Sequence, residues 1–154
     1  IDGDGKPDIV VANYINNSVS VFRNTGLSGS ITSDSFAERV DFAAGANPYD
    51  VTIGDIDRDG KPDLVVANHT DNSVSILRNT GNPGAIYEGS FAAKVDFISG
   101  AGPISVVLGD FNLDSYLDMI VVNETDNSIT AFRNNNITGI INAGTFMEKT
   151  SFGT

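Results

Sequence analysis

Cysteine is absent from the 154 residues, which excludes a disulfide framework, a thiolate metal site and a cysteine nucleophile. Positive charge is scarce. Nine basic residues against 20 acidic ones leave a net charge of -11. A surplus of that sign repels phosphate backbones and anionic lipid, so nucleic acid is not an expected partner. No apolar run approaches the roughly 20 residues that cross a bilayer, so membrane insertion is not expected either. Residue 1 opens inside a motif rather than at a signal peptide. Nucleophile elbow, phosphate loop and histidine-based metal cluster are all missing, and no catalytic residue is assigned. What remains is a chain that is 40% hydrophobic, enough to bury a core.

The sequence repeats itself. Asp2, Asp57 and Asn112 correspond, as do Asp8, Asp63 and Asp118, both sets at one constant spacing. The same shift aligns Arg23, Arg78 and Arg133; Asn24, Asn79 and Asn134; Phe36, Phe91 and Phe146; and Phe42, Phe97 and Phe152, without a gap. An ungapped period means that loops as well as strands recur, so each unit is one supersecondary element stacked on its neighbours.

In the middle copy, alternation and β-branched residues predict strands at 49–54, 64–67, 73–77 and 91–97. A turn at Asp71-Asn72, a form that recurs at Asn16-Asn17 and Asp126-Asn127, suits Asx side chains that tolerate positive φ. Four strands per unit at this period predict an all-β fold of β-propeller blades, each a four-stranded antiparallel meander. The expected units are 1–44, lacking its first strand, then 45–99 and 100–154, a partial propeller of about three blades. A β-solenoid or sandwich is the alternative.

The chemistry lies in the loop at 55–63. Asp55, Asp57, Asp59 and Asp63 crowd four carboxylates at loop positions 1, 3, 5 and 9. Such crowding repels itself unless a hard cation is bound, and Ca²⁺ takes about 6–8 oxygens from carboxylates, carbonyls and water. Gly60 permits a positive φ that aims the Lys61 carbonyl inward as a further ligand. An EF-hand is excluded because its bidentate Glu at loop position 12 is Val66 here, and Val121 in the third copy. In the first copy the ligands are Asp2, Asp4, the Lys6 carbonyl and Asp8. In the third they are Asp110, Asn112, Asp114, the Tyr116 carbonyl and Asp118, with Ser115 where the other loops have Gly5 and Gly60. A neutral Asn and a strained Ser predict a weaker third site. Two to three calcium ions are therefore expected, one per loop, and millimolar extracellular calcium favours an extracellular, cell-surface or periplasmic location.

The runs Asp4 to Asn13 and Asp59 to Asn68, both Asp-Gly-Lys-Pro-Asp-(Ile/Leu)-Val-Val-Ala-Asn, closely resemble FG-GAP-like (VCBS) repeats of bacterial secreted and surface proteins. Integrin α-subunit propellers are similar more distantly. The segments from Phe42 through Gly45 to Pro48, and from Phe97 through Gly100 to Pro103, resemble the Phe/Gly and Gly-Ala-Pro elements that name the family. The resemblance implies a propeller with calcium in the loop between two strands of a blade, on the ligand positions named above. It also implies a binding, adhesion or scaffold role towards a protein or glycan. The alternatives are the propeller part of a carbohydrate-active enzyme and a structural, self-assembling module.

Three full periods do not fit in the chain. The first copy has no equivalent of the stretch from Gly45 to Asp55, which supplies the first strand and first ligand of a blade. The remaining blades are expected from a longer polypeptide or from homo-oligomerisation. His69, the single histidine, corresponds to Tyr14 and Glu124 and reads as a surface residue rather than a general base. That varying set, with the long loops at 27–35, 82–90 and 137–145, is the candidate for specificity. The recurring arginines read as a repeated structural bond and the recurring phenylalanines as core. Asn16, Asn68, Asn123 and Asn136 each begin a glycosylation sequon.

Overall fold

The computed structural model describes residues 1–135, 138–147 and 149–154. Its strands form three antiparallel sheets, and no α-helix occurs among the described residues. The first sheet holds β1 (Ile9–Asn13), β2 (Ser18–Phe22) and β3 (Val40–Ala43). The second runs β4 (Pro48–Gly54), β5 (Asp63–Asn68), β6 (Ser73–Leu77) and β7 (Val95–Ile98) in sequential order. The third repeats this with β8 (Pro103–Gly109), β9 (Asp118–Asn123), β10 (Ser128–Phe132) and β11 (Thr150–Gly153). These are blade-like meanders, as the repeat pattern requires.

One strand differs from expectation. The run 91–97 reads as continuous β, but β7 begins only at Val95, and Phe91 makes an isolated bridge with Asn79. The same bridge recurs as Asn24 with Phe36 and Asn134 with Phe146. Each phenylalanine is thus pinned beside the sheet rather than within its last strand.

Strand parity explains the core. β5 is buried along its whole length because it has a neighbour on both faces. Leu64 and Val66 point into one cluster with Val19, Val21 and Phe42 of the first sheet. Val65 and Ala67 point the other way, into a cluster with Val106, Met119 and Val121 of the third. A period of two therefore serves two seams at once. Aromatic pairs close both: Phe42 meets Phe91 edge-on at 4.7 Å between ring centroids, and Phe97 meets Phe146 at 5.2 Å.

Polar residues lock the ends of the sheets. Asn68 donates through Nδ2 to the hydroxyls of Ser73 and Ser75, and Asn123 does the same to Ser128 and Thr130. Both asparagines are buried, at 0% and 1% exposure, which overturns the sequon reading at these two positions. Asn136 and Ile137 lie outside the described residues. Gly45 and Gly100 pack directly on these asparagines; a Cβ on either would sit 2.6 Å from an Asn side-chain atom.

Candidate metal centre

The acidic loop joins β4 to β5, and its backbone coils around its own carboxylates. Asp55 accepts from the amides of Asp59 and Gly60 at 3.0 Å each. Asp59 accepts from the amide of Lys61 at 2.9 Å. Gly60 has the expected positive φ of 87°, and a second left-handed residue stands two positions earlier, Arg58 at φ 55°. The third loop repeats the coil. Asp110 accepts from Asp114 and Ser115, at 2.9 and 2.8 Å, with Leu113 at φ 65° and Ser115 at φ 72°. Ser115 therefore takes the glycine conformation. In the first loop the two positions are both glycine, Gly3 at φ 73° and Gly5 at φ 82°.

Asp55, Asp57 and Asp63 place one carboxylate oxygen each within 4.8 Å of one another, with Asp57 and Asp63 fully buried. Asp63 is also a brace. Its two oxygens accept from the amides of Ile56 at 3.0 Å and Asn79 at 2.8 Å, tying the start of the loop to the end of β6. Asp118 holds Phe111 and Asn134 in the same way. Burial pushes the Asp63 carboxyl up to about 7, helped by the charges of Asp57 and Asp59 and opposed by the two amides. Asp59 stands outside the group of three. Its outer oxygen takes Arg78 Nη2 at 2.7 Å, while Arg78 Nε donates to Asp57.

These residues fit a hard divalent cation. The converging donors are all oxygen, burial and mutual repulsion hold one of them half protonated near neutrality, and a divalent charge removes that penalty. The first loop supplies an independent sign: Asp2 is 5% exposed, and its Oδ2 has no hydrogen-bond partner among the described residues. A buried, unpaired carboxylate oxygen is costly, and a bound cation satisfies it.

Two residues that the repeat marks have contacts at the centre that sequence reasoning does not assign. Arg78 is one; the recurring arginines share a main-chain bond, their carbonyls accepting from Ala37, Ala92 and Met147, but the side chain of Arg133 donates to Met147 sulfur rather than to the third loop. Asn79 is the other. Its Nδ2 donates to Pro62 O of its own loop at 3.0 Å and to Ile1 O of the preceding one at 3.1 Å. The fixed Arg-Asn pair after each β-run is the signal that marks both.

The varying positions assemble at the opposite end of the sheets. Tyr14 meets Tyr49 edge-on at 5.6 Å, Tyr49 lies 5.3 Å from His69, and His69 Nε2 is 3.9 Å from Glu124 Oε2. Tyr49 is the member that the repeat does not mark, its counterpart in the next copy being Ile104. Ala12, Tyr14, Pro48 and Tyr49 line a recess of about 300 Å³. The long loops stay apart from this row. Two of them cap the acidic loop of the preceding blade, Gly84 N donating to Asp2 O and Gly139 N to Asp57 O.

Coiled acidic loops on stacked antiparallel meanders of three and four strands define an all-β repeat module of the propeller type. The FG-GAP-like repeat matches residues 1–66 and again residues 55–121, and the chain belongs to that family. No curated protein and no solved structure matches it.

Proposed function

We propose that the chain is a calcium-held, non-catalytic binding module of a secreted or surface protein, with blades divided at 44/45 and 99/100. The convergence of Asp55, Asp57 and Asp63 carries the calcium part of this reading. Asp59 and the Lys61 carbonyl complete the second site. Asp110, Asn112, Asp114, the Tyr116 carbonyl and Asp118 make the third, and Asp2, Asp4, the Lys6 carbonyl and Asp8 contribute to the first. Calcium bound only by the folded chain stabilises it by about 4 kcal/mol per site at a thousand times the dissociation constant. Extracellular calcium keeps even modest sites filled.

Binding itself is assigned to the row Tyr14, Tyr49, His69 and Glu124. Exposed rings beside an open recess offer apolar faces, while phenol, imidazole and carboxylate groups offer hydrogen bonds at the rim. A glycan or protein ligand is met by that chemistry. Calorimetric titration of calcium, followed by a glycan array with and without Tyr49→Ala, tests both parts. The reading predicts calcium uptake and saturable binding lost in the variant; release of product from a polysaccharide would instead make the module part of an enzyme.

A further inference from the structure

Arg78, just after β6, lays one guanidinium across two carboxylates of the second acidic loop. Its Nε donates to Asp57 and its Nη2 to Asp59, the latter at 2.7 Å. Asp59 is thereby held between two donors, with Arg78 on Oδ2 and the Lys61 amide on Oδ1 at 2.9 Å. Asp55, Asp57 and Asp63, at the first, third and ninth places of the loop, converge to within 4.8 Å; Asp59, at the fifth, does not join them.

Crowded carboxylates repel one another, and a positive charge among them answers that repulsion. The guanidinium supplies such a charge through two of the very groups that a cation would use. Asp59 reaches an ion held by the other three only by turning away from Nη2. A divalent charge bound to Asp57 also repels the arginine bonded to the same carboxylate. The fork is not a general requirement of the blade. Arg133, one period on, donates to Met147 sulfur instead, and the third sheet keeps the same four-stranded order as the second.

We propose that Arg78 is the internal counter-ion of the second acidic loop: it competes with the cation for Asp57 and Asp59, and so sets the calcium concentration at which this loop fills. The inference rests on the calcium reading given above. It entails two effects of opposite sign. Arg78 steadies the calcium-free protein and weakens calcium binding, whereas an arginine that only positioned the ligands would favour both. The offset is partial, because the arginine is 27% exposed and screened by water while Asp57, the charge that Asn112 lacks, is fully buried. The loop that begins at Asp55 therefore keeps its advantage over the one that begins at Asp110.

Calorimetric titration of calcium into the wild type and Arg78→Gln, with melting temperatures of both in chelator, reads the two effects. Arg78→Gln should bind calcium roughly tenfold more tightly, as loss of one unit charge beside a divalent ion in a partly solvated site implies. In chelator it should melt at a lower temperature than the wild type. Adding Asp55→Asn should abolish the gain in affinity, which assigns the gain to the second loop. If Arg78→Gln fails to fold by circular dichroism, Arg78→Lys replaces it, keeping the charge but not a fork that spans two carboxylates, and its gain should be smaller. A variant that binds calcium no more tightly than the wild type, or melts no lower in chelator, overturns the proposal alone. A wild type that takes up no calcium overturns the reading beneath it as well.

Discussion

Asn134 Nδ2 donates to the carbonyl of Ile56 at 3.0 Å, and so ties the end of one blade's third strand to the acidic loop of the blade before it. The bond is the copy, one period on, of Asn79 to Ile1. In both places the same side chain also bonds its own loop, at Pro62 or Leu117. Consecutive acidic loops are thereby joined through a single amide.

Asn134→Ala should therefore cost more than a surface substitution. Asn134 is fully buried, and the change leaves two carbonyls without their donor, a loss of about 1–3 kcal/mol. Urea unfolding monitored by circular dichroism measures it. A midpoint indistinguishable from wild type would show that the amide is not a structural tie.

Gly100→Ala should destabilise by roughly 1–3 kcal/mol, as overpacking of a close contact does. The new Cβ falls 2.6 Å from Asn123 Nδ2 and 2.8 Å from Asp126 Oδ2. Gly144→Ala, whose nearest neighbour is Asn142 Oδ1 at 3.2 Å, serves as the mild comparison. Equal melting temperatures for the two variants would contradict the packing account.

Stability without calcium should fall as pH rises from about 4 to about 7. The ordinary carboxyl value is 3.8 and the folded value for Asp63 is about 7, so the folded state retains a proton that the unfolded chain has released. Where the folded state binds more protons, stability declines with pH, and the decline ends once Asp63 is ionised in both states. Calcium selects the carboxylate and should flatten that slope. Melting temperatures across this range, in chelator and in calcium, provide the check; parallel curves would count against Asp63 as a ligand.

Much of this fold is written in the period. Alternation locates β5 and β6 closely, because Leu64, Val66 and Val74 must each find a seam. The acidic loop is equally plain, since four carboxylates at fixed spacing have few other uses. Other features carry no such mark. Leu113 and Arg58 adopt left-handed backbone, for which neither residue type has a preference; only Gly3, in the first copy, hints at it. Phe91 alternates like a strand residue, yet its neighbours leave the ladder before β7 begins. Tyr49 meets Tyr14 through the approach of adjacent blades, a relationship that lies between repeats, while its contact with His69 lies within its own blade.

The two complete acidic loops should differ in affinity. Asn112 lacks the charge of Asp57, and its Nδ2 donates to Asp114 at 2.9 Å. Calorimetry on Asp55→Asn and on Asp110→Asn separates the sites, and the loop that begins at Asp55 should bind more tightly. Tighter binding at Asp110 would reverse the ranking.

The claim beneath all of this is that a divalent cation holds the acidic loops and, through them, the seams. Thermal unfolding of the chain in chelator and then across a calcium titration tests it most directly. The melting temperature should climb with calcium in the wild type and climb less in Asp57→Asn. A melting temperature that ignores calcium in both proteins would contradict the account.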